Sequence, residues 1–178
     1  MMRALRIAVL VVAAPFTALH AVAEEQAAPH ATLQRAAVMV KDRPATVAFY
    51  RDVLGYVEEQ SATGITLPPD HPLGLPPDAI VSMSYMKSRD GAYVAVMGVD
   101  SESLPTLDHP QGSDNAYNDV ILVHVVTDAD EIYRRALAGG YTVLGPPKLS
   151  RTGAAKQLFL RDPNGIKIEL NQMLKKTD

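Results

Sequence analysis

The chain has 178 residues and no cysteine. That absence excludes disulfides, thiolate chemistry and a thiol-linked lipid anchor, so an oxidising compartment is permitted without being required. Basic residues are also scarce: 17 Lys and Arg stand against 20 Asp and Glu, and no basic cluster occurs. Nucleic acid is therefore not an expected partner. Beyond the first two dozen residues no apolar run approaches membrane length. No Ser, His and Asp order, phosphate loop or paired-Cys motif is present, which leaves nucleophilic and nucleotide-binding readings unsupported.

What is present begins with three consecutive signals. Arg3 and Arg6 open the chain, Ile7 to Leu19 is apolar but short for a bilayer, and Ala21-Val22-Ala23 precedes Glu24 as an Ala-x-Ala cleavage site. Residues 1–23 are expected to be a signal peptide, and the protein to be exported, periplasmic or secreted. Cleavage removes two arginines and no carboxylate, which moves the formal charge from −3 to −5. Residues 24–32, rich in Ala, Glu and Pro, read as a disordered lead. The remainder suffices for one domain, residues 33–172, with a tail at 173–178.

The segment Gln157 to Leu170 reads as a hairpin, because Asp162-Pro163-Asn164-Gly165 suits a tight reversal between two apolar runs. Alternation in its second strand puts Ile166, Ile168 and Leu170 on one face, and Lys167 and Glu169 on the other. Internal repetition is the second signal. Ala36-Ala37-Val38-Met39-Val40-Lys41-Asp42 and Leu122-Val123-His124-Val125-Val126-Thr127-Asp128 are both apolar strands ending in Asp. Helical segments follow, Pro44 to Leu54 and Ala129 to Ala138, each capped by its Asp and ended by a glycine before a tyrosine, Gly55-Tyr56 and Gly140-Tyr141. Strand signals come next: Val57 to Gln60, Ala79 to Lys87 and Ala92 to Val99 in the first copy, Thr142 to Leu144 and the hairpin in the second. Two β-α-β-β-β units result, module one at 33–100 and module two at 119–172, joined by a linker at 101–118. The Asp residues are 86 apart, but Gly91 and Gly165 only 74, so the first copy carries about a dozen extra residues, assigned to the Pro-rich stretch Leu67 to Asp78.

Val-Lys-Asp ahead of Ala48-Phe49-Tyr50-Arg51-Asp52-Val53-Leu54-Gly55-Tyr56, together with Arg161-Asp162-Pro163-Asn164-Gly165-Ile166-Lys167-Ile168-Glu169-Leu170, resembles the vicinal oxygen chelate superfamily. That superfamily includes glyoxalase I, the bleomycin-resistance proteins and the extradiol dioxygenases. The resemblance covers about Leu33 to Gln172. It implies an α+β fold of paired β-α-β-β-β modules forming a curved sheet cup, often with a divalent metal held by His and Glu from first and last strands. It also permits a homodimer in which copies exchange modules.

Carried over residue by residue, those ligand positions fall on Arg35 and Ile121 in the first strands and on Ala95 and Glu169 in the last. Only Glu169 can bind a metal, and one carboxylate does not make a catalytic site of about three protein ligands. No cofactor is therefore expected. By strand parity His124 faces the helices, where a hydrogen-bonded core histidine is the ordinary reading. Arg35 would stand where a cation stood and pair with Glu169, or bind an anionic ligand. Tyr93 and Met97 share the face of Ala95, and Lys167 that of Glu169. Arg35, Tyr93, Met97, Lys167 and Glu169 are thus the expected contacts for a small organic molecule, with Glu169 the best catalytic candidate and the 67–78 insertion a lid or rim. The alternative is a lyase, isomerase or dioxygenase in which Glu169 joins His71 or His109 around a divalent ion, or acts alone as general base.

Overall fold

Each helix begins where an aspartate meets free amides. Asp42 Oδ1 accepts from the Ala45 amide at 2.9 Å and opens α1 (Arg43–Asp52), with Pro44 in the first turn, where no amide is needed. Asp128 Oδ1 accepts from both Asp130 and Glu131 amides at 3.0 Å and opens α2 (Ala129–Ala138). Gly55 and Gly140, at φ +73° and +72°, supply the left-handed turns after the helices. This computed structural model describes residues 31–109, 112 and 114–175. The expected signal peptide and nearly all of the expected lead lie outside the described residues, as do residues 176–178.

The strands form two four-stranded mixed sheets that are not closed on one another. The first contains β1 (Ala36–Val40), β2 (Val57–Ile65), β3 (Ile80–Lys87) and β4 (Tyr93–Asp100), ordered β1-β4-β3-β2. The second contains β5 (Ile121–Val125), β6 (Lys148–Leu149), β7 (Ala155–Arg161) and β8 (Lys167–Met173), ordered β5-β8-β7-β6. In each, the first strand lies parallel to the last and the other pairs are antiparallel. The register carries the internal repeat: Ala37 lies opposite Ala95 in the first sheet and Val123 opposite Glu169 in the second, positions 86 and 74 residues apart.

Several elements depart from the sequence expectation. β2 runs to Ile65 rather than Gln60, with irregular register between Ala62 and Ile65 where Gly64 takes φ +69°. The Thr142 to Leu144 segment is not a full strand. It forms a single bridge, Val143 to Leu160, before Gly145-Pro146-Pro147 interrupts the pairing, because prolines have no N–H to donate; pairing with β7 resumes in the short β6, which the sequence reading does not foresee. β8 also continues one residue past the expected boundary, to Met173.

One core serves both modules. Val38, Val40, Val94 and Val96 from the first sheet, and Leu158, Leu160, Ile168 and Leu170 from the second, join the inner faces of both helices in one buried cluster. Phe49 on α1 meets the Tyr141 ring of module two edge-on, with centroids 5.0 Å apart. Asn164 in the hairpin turn donates to Thr46 Oγ1 on α1 at 3.0 Å. Because the helix-bearing faces of both sheets meet in this core, the opposite faces look away from it. A smaller cluster lies on the outward face of the first sheet, where Leu67 and Leu75 of the insertion pack with Val81, Met83, Met97 and Val99.

Candidate ligand-binding faces

Parity places Arg35, Tyr93 and Met97 on the outward face of the first sheet. The Arg35 guanidinium sits over the Tyr85 ring, 5.2 Å from its centroid, and donates to Gln34 Oε1 at 2.7 Å. Lys87 lies over the Tyr93 ring at 5.5 Å, and Glu59 takes both the Lys87 ammonium, at 2.5 Å, and the Tyr93 hydroxyl. These two partners hold the Glu59 carboxyl below its usual range, the Lys87 hydrogen bond being the larger cause. Two cations, each set against an aromatic ring, therefore form this wall, and Ala95 between them is fully buried. Met97 packs into the smaller cluster that the 67–78 insertion covers, so the insertion forms a rim on this face.

Glu169 faces outward on the second sheet and is held by amides. Its Oε1 accepts from Gln157 Nε2 and Asn171 Nδ2, both at 2.9 Å, while Gln157 also donates to Asn171 Oδ1. Lys167, on the same face, is only 4% exposed; it donates to the Asp114 carbonyl at 3.1 Å and to Asn115 Oδ1 in the linker. Arg161, opposite Lys167 in register and equally buried, donates to the carbonyls of Gly112, Asp114 and Gly165. These two cations fasten the linker across one end of the sheet. Beside them the β5 side chains Ile121, Val123 and Val125 are bare, Val123 and Val125 being 60% and 68% exposed.

The five expected contacts are thus brought together in two groups, not one. Arg35, Tyr93 and Met97 share one face; Lys167 and Glu169 share another, on the opposite side of the common core. Within one chain the partners of Arg35 are Gln34 and Tyr85, and those of Glu169 are Gln157 and Asn171. Sequence reasoning missed Tyr85, Glu59, Gln157, Asn171 and Arg161. Hairpin register could have found Tyr85, Gln157 and Asn171, since the Ser88 to Gly91 turn sets Tyr85 opposite Ala95 and the Asp162 to Gly165 turn sets Gln157 opposite Asn171; Glu59 sits at a register shift of β2 that no local signal marks. His124 does face the core: its Nδ1 lies 2.8 Å from the Tyr56 hydroxyl, and burial lowers its pKa.

Paired β-α-β-β-β modules with the first strand parallel to the last, and an outward glutamate in the final strand, define a two-module α+β protein of one recognisable class. The model of the Glyoxalase/Bleomycin resistance protein/Dioxygenase superfamily matches residues 32–170, and the chain belongs to that superfamily. Comparison with the curated proteins finds no match. Among solved structures, a glyoxalase family protein from Bacillus cereus is 18% identical, with a TM-score of 0.68, covering 83% of this chain and 97% of that one. The genomically encoded fosfomycin resistance protein of Listeria monocytogenes is 16% identical, with a TM-score of 0.54 and coverage of 82% and 96%. Glyoxalase I from Zea mays is 15% identical, with a TM-score of 0.55, covering 80% of this chain and 44% of that one. At these identities the likeness is one of fold.

A further structure of the Listeria protein, 18% identical and with a TM-score of 0.52, is complexed with Mn(II). The residues of this chain do not fit such an ion. The superfamily positions hold a guanidinium, two alkyl side chains and one carboxylate whose Oε1 accepts from two amides. Among the described residues, no three His, Cys, Asp or Glu side chains gather closely enough to ligate a cation. His71 and His109, the donors of the alternative reading, are placed elsewhere. His71 Nδ1 accepts from the Leu73 amide within the insertion, and His109 packs on Gly165 with its Nδ1 3.9 Å from Asp119.

Proposed function

We propose that the protein binds a small organic molecule on the outward sheet faces without using the superfamily's metal set. The observation that carries this reading is Arg35: at a superfamily ligand position stands an exposed guanidinium, already oriented by the Tyr85 ring. A planar cation held in this way recognises a carboxylate or similar anion through paired N–H donors. Glu169 is the best candidate for any proton transfer, because it is the one acid at a superfamily ligand position. We further propose export, on the strength of residues 1–23, and a homodimer in which the Arg35 face of one copy meets the Glu169 face of another. The separation of these two faces within one chain supports that pairing.

The test is a metal titration of the mature protein, purified without a histidine tag, followed by a screen of small organic acids. The expected result is no stoichiometric zinc, nickel, manganese or iron(II), and a saturable acid whose affinity falls about tenfold in Arg35→Met. Stoichiometric metal, or acid binding indifferent to Arg35, removes the reading. Cell fractionation tests export, and light scattering tests the dimer.

A further inference from the structure

Three of the five described methionines stand side by side on the outward face of module one. Met39 on β1 lies opposite Met97 on β4, and Met97 lies opposite Met83 on β3, so one cross-strand row carries three thioethers. Directly opposed Cβ atoms are about 5 Å apart. Methionine has three rotatable bonds, enough for the outer two sulfurs to lean toward a point over Met97. All three residues keep contact with solvent: Met39 is 43% exposed, and Met83 and Met97 are half-buried.

The repeat supplies an internal control. Shifts of 86 and 74 residues carry Met39, Met97 and Met83 onto Val125, Asn171 and Gln157, which again stand in one row, on the second sheet. There the fold accepts a branched alkyl group and two amides, and the amides serve Glu169. Nothing in the architecture therefore demands unbranched sulfur side chains at these positions. Packing under the 67–78 insertion accounts for an apolar residue at Met83 and Met97, but Met39 lies on the edge strand outside that cluster.

The surroundings select the ion. The row on one side is Ala37, Ala95 and Tyr85, and on the other Val99 and Val81, with no carboxylate to offset charge. The Arg35 guanidinium, turned onto the Tyr85 ring, adds positive charge. Thioethers are neutral, soft donors. A hard divalent ion would lack both compensating charge and oxygen ligands here, whereas Cu(I) takes soft sulfur ligands and brings a single charge.

We infer that Met39, Met83 and Met97 form a three-thioether site for a soft monovalent ion, Cu(I) or its analogue Ag(I). The site owes nothing to Glu169 and does not use Arg35 as a ligand, so it stands whether or not an organic acid binds.

Ag(I), which keeps its oxidation state, is titrated into the full chain labelled at the methionine methyl carbons and followed by NMR. The signals of Met39, Met83 and Met97 are expected to shift together and saturate at one equivalent. Met86, turned into the core from the same strand as Met83, and Met173, exposed on β8, are expected to stay in place. Zinc should leave all of these signals unmoved. Cu(I) affinity, read by competition with bicinchoninate, is expected to fall roughly tenfold or more in Met97→Leu, which conserves volume but removes one of three donors. Met39→Leu, at an exposed edge position, is expected to weaken Cu(I) in the same way and decides the matter if the Met97 variant does not fold. Independent movement of the three signals or none at all, an equal response from Met173, saturation by zinc, or Cu(I) affinity unchanged in Met39→Leu would overturn the assignment.

Discussion

The two modules are copies of one unit, yet their outward faces have been finished differently. Module one covers part of its face with its own insertion and lays two cations over two aromatic rings. Module two leaves β5 bare, ties its glutamate to two amides and spends its buried cations on the linker. Their inner faces, by contrast, are interchangeable in kind: valines and leucines at matching register, merged into one core. Packing constrains the inner faces to stay alike, whereas the outward faces were free to acquire separate chemistry.

The comparison breaks most severely if the shared core is opened. Phe49→Ala removes a fully buried ring from module one that touches Tyr141 of module two, and is expected to cost about 3–5 kcal/mol. Urea unfolding followed by separate probes in each module should still show coincident transitions; two separated transitions would mean that the modules are independent after all. Arg161→Met is next. It removes the Arg161 donors from the Gly112 and Gly165 carbonyls and leaves Asp114 only its bond from Lys167, and about 2 kcal/mol should be lost together with faster proteolysis near residue 112. A matching loss without new cleavage would show that the linker is held by something else.

His124 sharpens the comparison by pH. Burial lowers its folded pKa below the ordinary 6.5, so the unfolded chain takes up the proton first. Its contribution is complete above pH 6.5 and is lost as pH falls through that value toward the folded pKa. Subtracting the stability curve of His124→Phe from that of the parent should isolate a slope of this sign below pH 6.5. A flat difference curve counts against the burial argument.

The helix caps offer a smaller contrast. Asp128 receives two amides and Asp42 one, so Asp128→Ala should cost about 1 kcal/mol and Asp42→Ala about half as much, both by thermal denaturation. The smallest effect belongs to the bare face. Val125→Thr, at a position 68% exposed, should leave stability of the monomer within about 0.5 kcal/mol. A larger loss, dependent on protein concentration, would show that this face is covered by another copy.

Local chemistry made much of this architecture legible. The Asp caps, the left-handed glycines and the Asp162-Pro163-Asn164-Gly165 turn are each decided within a few residues, and the 86- and 74-residue shifts reappear in the strand register. Parity alone turned His124 inward and Glu169 outward. What stayed hidden depends on contacts between distant segments. Nothing near Lys167 announces that residues 114 and 115 will cover it, and Arg161 looked like an ordinary strand-end cation until the linker was seen passing over it. Likewise, the sequence reading sets Arg35 in the first strand of module one and Glu169 in the last strand of module two and expects the two to meet in one cup. Only the merging of the two helix-bearing sheet faces into one core determines that their faces turn away from one another.

The merged core also bears on how the chain is made. Module one is complete by Asp100, but its inner valines and Phe49 gain their full cover only when β8 has been synthesised, some seventy residues later. Until then the nascent unit presents an apolar surface with no partner in the same chain. Acquisition of the native state is consequently a terminal event, and a chain truncated before β8 should engage chaperones rather than persist as a free half.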